Sequence, residues 1–119
     1  MKIFFDTNVL LSAVLEQHSF HDRSLKIFTS VVTGHNKGFI SSHSLAEMYS
    51  GLTRIPPPYR HGPEAALLSI EHNVLSHFQL VTLQPADYPL LIREAAAAGI
   101  QGGTIYDFLL LKCAKIAAV

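Results

Sequence analysis

Charge is scarce in this chain. Charged side chains make up 15% of it and hydrophobic ones 49%, a balance that excludes a disordered segment and requires a dry interior or a large partner interface. Cysteine is nearly absent: Cys113 lies alone in an apolar stretch, which excludes an internal disulfide and fits a reducing cytoplasm, the expected location. No apolar run reaches the ~18–20 residues that span a bilayer. The N-terminus carries one early lysine and an apolar stretch interrupted by Asp6 and Asn8, which is not the pattern of a signal peptide. Net charge is also missing. Nine Lys and Arg balance nine Asp and Glu, which counts against a generic nucleic-acid coat. Internal repeats, linkers and low-complexity tracts are absent too, and 119 residues make one domain.

What is present begins in the first fifteen residues. Lys2-Ile3-Phe4-Phe5 is short, apolar and β-prone; Asp6-Thr7-Asn8 breaks it, and Val9 to Leu15 is again almost wholly apolar. A buried strand that delivers a carboxylate at its C-terminal end, just before a helix, is where open α/β sheets place ligands. Glu47 and Asp107 occupy similar positions near the starts of later helices.

The rest reads as further βα units. Ser19-Phe20-His21-Asp22 resembles a capping box opening a helix whose apolar stripe is Leu25, Phe28, Val31 and Val32, with Gly34 as its stop. Gly38-Phe39-Ile40 is a second strand, and Ser41 to Thr53 a helix with Leu45, Met48, Tyr49 and Leu52 on its core face. The proline-rich stretch from Arg54 to Pro63 reads as a loop. A helix is expected from Glu64 to about His77, with Leu67, Leu68, Ile70, Val74 and Leu75 as its apolar residues. Phe78 to Leu83 is the third strand. Tyr88 to Ala98 is a helix stopped by Gly99, and Gly102-Gly103-Thr104 opens a last helix, Ile105 to about Ala118, apolar nearly all round and so expected to be buried on more than one side. Alternating strands and helices imply an α/β fold, a parallel sheet covered on both faces.

Three carboxylates at helix and strand ends suit a hard cation. Mg²⁺ and Mn²⁺ take oxygen ligands, and Mg²⁺ is commonly held by one or two carboxylates, waters and a substrate phosphate. If Asp6, Glu47 and Asp107 share one site, nine basic residues face six acidic ones elsewhere, a modest positive rim that attracts a phosphate backbone. Each acid also has a structural alternative. Asp6 can cap the first helix; Ser44-Leu45-Ala46-Glu47 matches S-x-x-E, and Thr104-Ile105-Tyr106-Asp107 matches T-x-x-D. In favour of function, Glu47 shares a small polar face with His43, Ser44, Ser50 and Gly51, directed away from the apolar face. Asp107 is followed directly by Phe108-Leu109-Leu110-Leu111, and a buried carboxylate there needs a partner. The seven histidines form no H-E-x-x-H and have no cysteine pair, so they read as surface or loop residues rather than zinc ligands.

These residues resemble a known family. Phe5-Asp6-Thr7-Asn8-Val9-Leu10-Leu11 resembles the opening of PIN-domain proteins, above all the VapC-type toxins of type II toxin–antitoxin pairs. Leu45-Ala46-Glu47-Met48-Tyr49 is similar to that family's second acidic motif, and Gly102 to Ala114 to its third. The resemblance implies a PIN-like three-layer α/β/α sandwich on a short parallel sheet. It implies an Mg²⁺- or Mn²⁺-dependent endoribonuclease, acting on tRNA or rRNA, inhibited by a cognate VapB-type antitoxin and forming a homodimer. By position, Asp6, Glu47 and Asp107 are the family's metal-binding and catalytic residues, with Thr7 and Asn8 as polar support. The family continues into a further strand and a segment with a fourth polar or acidic site residue. The expectation is therefore one PIN-like domain over 1–119 that lacks its final strand and leaves an edge of Lys2–Phe5 open. The alternative is an inactive PIN-like module that only binds a partner protein. Two other acid-cluster enzymes fit poorly: a haloacid-dehalogenase phosphatase requires Asp where Asn8 stands, and a receiver domain requires Asp where Leu83-Gln84-Pro85 ends the third strand.

Overall fold

A computed structural model describes residues 1–119. Strand β1 (Lys2–Phe4) leads into helices α1 (Thr7–Val14) and α2 (His21–Val32); β2 (Lys37–Ser41) leads into α3 (Ser42–Arg54) and α4 (Pro63–Ile70). A π-helical turn at Glu71–Leu75 extends α4, and β3 (Phe78–Val81) is followed by α5 (Asp87–Ala97) and α6 (Thr104–Ile116). The three strands are parallel in the order β1-β2-β3, with Phe4 opposite Phe39 and Ile40 opposite Leu80. This is the expected α/β architecture, with helices on both faces of a short sheet.

Side chains alternate along each strand, and the core divides accordingly. Ile3, Phe5, Ile40 and Phe78 face one side and pack with Leu10, Phe28, Met48, Leu52, Ile70 and Val74 of α1 to α4 and the π-helical turn. Phe4, Phe39 and Val81 face the other side and pack with Leu83, with Leu91 of α5 and with Leu109 and Cys113 of α6, where the partly buried Ile105, Phe108 and Leu110 add to the contact. On the first face Phe78 is the keystone: its ring meets Phe5 edge-on at 4.9 Å between centroids and stacks on Phe28 at 5.9 Å. Gly38, its register partner on β2, makes room for it. A Cβ there would lie 2.6 Å from the Phe78 ring and 2.8 Å from Val31 Cγ1.

Several boundaries follow local chemistry, the stops at Gly34 and Gly99 as expected. Ser41 caps α3, its hydroxyl accepting from His43 N–H at 3.1 Å. Pro63 occupies the first turn of α4, where its missing N–H is harmless. Gly34 and Gly99, both at positive φ, stop α2 and α5.

Other expectations are corrected. Ser19 opens no capping box: α2 starts at His21 without a side-chain cap. Instead the Phe20 N–H donates to His18 Nδ1 at 3.1 Å. The buried stripe of α2 is Ser24, Phe28 and Val31, while Leu25 and Val32 are exposed. From α4 into the π-helical turn the buried residues are Ala66, Ile70 and Val74, with Leu67, Leu68 and Leu75 exposed. Tyr49 is exposed, and on the polar face of α3 Ser44 and Gly51 are buried. Where helices lie close together, small side chains share the inward positions with larger ones: Ser24 on α2, Ser44 and Gly51 on α3 and Ala66 on α4. Helix α6 is not buried on several sides. Only Leu109 and Cys113 are buried, and Leu111 is 53% exposed, because α6 meets the sheet along one face only.

Candidate active site

Asp6 follows directly from the sheet. The Phe5 N–H still donates to Phe39 O at 2.8 Å, so the strand pairing runs to the residue before it. Asp6 then takes the N-cap position of α1 with extended backbone, and its carbonyl accepts from Val9 and Leu10. Its carboxylate makes no cap hydrogen bond. The side chain is exposed, at the C-terminal end of a strand as expected.

Glu47 sits in the middle of α3, where it cannot close a capping box, since Ser41 holds the cap. Its neighbours come from α1. Thr7 Oγ1, buried, lies 3.2 Å from Glu47 Oε1 and 2.9 Å from Ser44 Oγ. A carboxylate only accepts, so the threonine donates to it. His43 Nε2 approaches the same oxygen at 3.7 Å from one turn earlier. Gly51 permits this meeting of helices, since a Cβ would stand 2.8 Å from Leu11 Cδ1 of α1.

Asp107 lies in the first turn of α6, where the helix dipole favours a carboxylate. The T-x-x-D pattern makes no cap, because the N-cap position is Gly103 and no side chain bonds there. Asp107 is exposed, so the apolar run after it does not bury the charge, and it needs no buried partner.

The three acids come together. Asp6, Glu47 and Asp107 line one cleft of about 290 Å³, with Asn8, Arg54 and Tyr106 also in its walls. Residues 3–119 match the family profile of the PIN domain. The chain belongs to the PIN-domain family. Ribonuclease VapC40 of Mycobacterium tuberculosis, in the strains CDC 1551 / Oshkosh and ATCC 25618 / H37Rv, is 30% identical to this PIN-domain chain over 113 residues, covering 94% of this chain and 78% of the relative. The crystal structure of VapBC2 from Rickettsia felis, bound to a DNA fragment from their promoter, superposes with a TM-score of 0.60 at 20% identity, covering 96% of this chain and 80% of that one. At that identity the likeness shows the fold.

The donor set of the PIN-domain cleft is three carboxylates with no thiolate, which suits a hard cation. No three acidic, histidine or cysteine side chains lie close enough to hold one ion together. An ion here would therefore rest on one or two carboxylates, with water completing its shell, as Mg²⁺ commonly does. Zinc-type clusters of histidines do not form either: His18 and His21 are bonded to backbone groups of Phe20 and Ser12.

Two further residues of the cleft are not acids of the three motifs. Arg54, expected in the proline-rich loop, is instead the last residue of α3, and it forms no ion pair. Its spacing from Glu47 and Ser50 along one helix face was the available signal. Tyr106 precedes Asp107 and stacks on His43, with ring centroids 5.5 Å apart and planes 4° from parallel. This contact ties α6 to α3 across the cleft. Behind it, Cys113 is buried. Burial pushes its thiol pKa up, the Asp87 charge adds to this, and a hydrogen bond with Ser41 opposes it.

Proposed function

We propose that this chain is a metal-dependent endoribonuclease of the VapC toxin type, hydrolysing phosphodiester bonds of tRNA or rRNA. The observation that supports the reading is the meeting of Asp6, Glu47 and Asp107 in one cleft, with none of the three bonded into a helix cap. Asp6 and Asp107 would hold Mg²⁺ or Mn²⁺, directly or through water. The bound ion would supply charge neutralisation at the phosphate and a more acidic water. Glu47, held by the Thr7 hydroxyl, orients the attacking water for in-line displacement, with no covalent intermediate. Arg54 offers the substrate phosphate a guanidinium that no other side chain holds.

The partners in this reading are a VapB-type antitoxin and a second copy of the chain. The similarity to VapC40 and to the VapBC2 structure supports the first.

The experiment is RNA cleavage by the purified protein with Mg²⁺ or Mn²⁺. The parent should cut tRNA or rRNA. Asp6→Asn, Asp107→Asn and Glu47→Gln should each lose about 10²–10³-fold, the scale of removing one group that stabilises transition-state charge. Variants that all cut at the parental rate would refute the reading.

A further inference from the structure

We propose that a pocket beside the acidic cleft is a nucleotide subsite, taking one base of single-stranded RNA on Phe20 and an adjoining phosphate on Arg23. It rests on the ribonuclease reading for the identity of its ligand. Asn8 connects the two sites: it lines the cleft with Asp6 and Thr7, and it also lines a pocket of about 420 Å³ walled by Val9, His18, Phe20 and Arg23. Through Asn8 the pocket adjoins the cleft, so a strand of RNA engaged by the carboxylates can place a flanking nucleotide in it.

The walls carry the chemistry. Phe20 is 55% exposed and belongs to neither core cluster, so its ring has no packing role that explains it. Its backbone is nevertheless held, and its ring leans on His18. The Phe20 N–H donates to His18 Nδ1 at 3.1 Å, the two rings lie 5.8 Å apart, and His21 Nδ1 is 2.9 Å from Ser12 O, tying the start of α2 to α1. A pre-positioned aromatic face loses little freedom on binding, and such faces stack any base because every base has a π-face. Arg23 is exposed and joins no ion pair, leaving its guanidinium free for a phosphate. With Arg54 in the cleft, it supplies positive charge beside three carboxylates that would otherwise repel an RNA backbone.

The probe is a fluorescein-labelled, cleavage-resistant 2′-O-methyl oligonucleotide of roughly ten mixed-sequence residues, within the usual span of such sites. Binding is followed by anisotropy in Ca²⁺ buffer, alongside cleavage of tRNA in Mg²⁺. The parent should bind the probe, Phe20→Ala should weaken binding at least about fivefold, the low end for one stacked base, and Arg23→Ala should weaken it through the lost phosphate contact. Phe20→Tyr should retain binding, and Arg23→Ala should reduce the salt slope by about 0.7. In cleavage, Phe20→Ala should raise KM and leave kcat unchanged. Both residues are exposed, and unchanged thermal unfolding would show that the variants are folded. If Phe20→Ala and Arg23→Ala bind like the parent, or the parent does not bind, the subsite is overturned whether or not RNA is cut; the pocket would then be left for a protein ligand. If binding depends on Phe20 and Arg23 while the parent cuts no RNA, the subsite stands and the ribonuclease reading falls.

Discussion

The two faces of the sheet are built differently. One is covered by α1 to α4 and holds a core of thirteen buried residues around the Phe5–Phe78–Phe28 rings; the other is covered by α5 and α6 and holds six. The cleft straddles this division. Asp6 and Glu47 stand on helices anchored in the thick face, whereas Asp107 rides on α6, which only Leu109 and Cys113 bury in the thin one. A Lys112–Glu94 pair at 3.0 Å links α6 to α5, but a half-exposed pair of this kind contributes little. Global stability and site geometry therefore draw on different residues.

The largest effect should come from the thick face. Met48→Ala, at a fully buried position, should cost about 2–5 kcal/mol in urea unfolding. Leu109→Ala on the thin face should fall at the low end, about 2 kcal/mol, because an open face relaxes around the loss. Cleavage by Leu109→Ala, measured where the variant is folded, should nevertheless drop by as much as about 10²-fold through misplacement of Asp107. Equal stability losses with equal activity would erase the distinction between faces.

Gly38→Ala tests the thick face from the opposite direction. The added methyl group meets the Phe78 ring and Val31, neither free to withdraw from the aromatic cluster, and overpacking should cost about 1–3 kcal/mol. A neutral result in the same urea assay would mean that the cluster is looser than its ring distances imply.

The smallest effect concerns Cys113 on the thin face. Its folded pKa is raised above the ordinary thiol value of 9.0 by burial, so the unfolded chain ionises first as pH rises. Below that value both states hold the proton and stability is unaffected; above it the unfolded state binds fewer protons and the fold loses stability. Unfolding followed across this window should show a decline that Cys113→Ala lessens. An identical pH profile in the variant would remove the thiol as its source.

The fold was largely legible because its signals are local. Strand, polar break and helix follow one another around Asp6, and Gly34 and Gly99 mark helix ends through their own backbone chemistry. The helix faces were less legible. Of the apolar residues expected from Leu67 to Leu75, Ile70 and Val74 are buried, but Leu67, Leu68 and Leu75 are exposed and Ala66 takes an inward place. Hydrophobicity marks what can be buried, while the closeness of neighbouring elements selects what fits. Ser44 and Gly51 on α3 follow the same rule against α1. In the site, the acids could be picked out by motif, each in its own segment. Arg54 and Tyr106 could not, because their roles exist only once α3 and α6 face each other.

The central claim is that acids from both faces of the sheet serve one cation. Thermal unfolding of the apo protein in increasing Mn²⁺ tests it most directly. An ion that binds only the folded state should raise stability by about 2.7 kcal/mol at a hundredfold excess over its Kd. Asp6→Asn and Asp107→Asn should each abolish that shift, while Glu94→Gln, outside the cleft, should keep it. If Asp6→Asn and Asp107→Asn both respond to Mn²⁺ as the parent does, the acids of the two faces do not share an ion, and the account is contradicted.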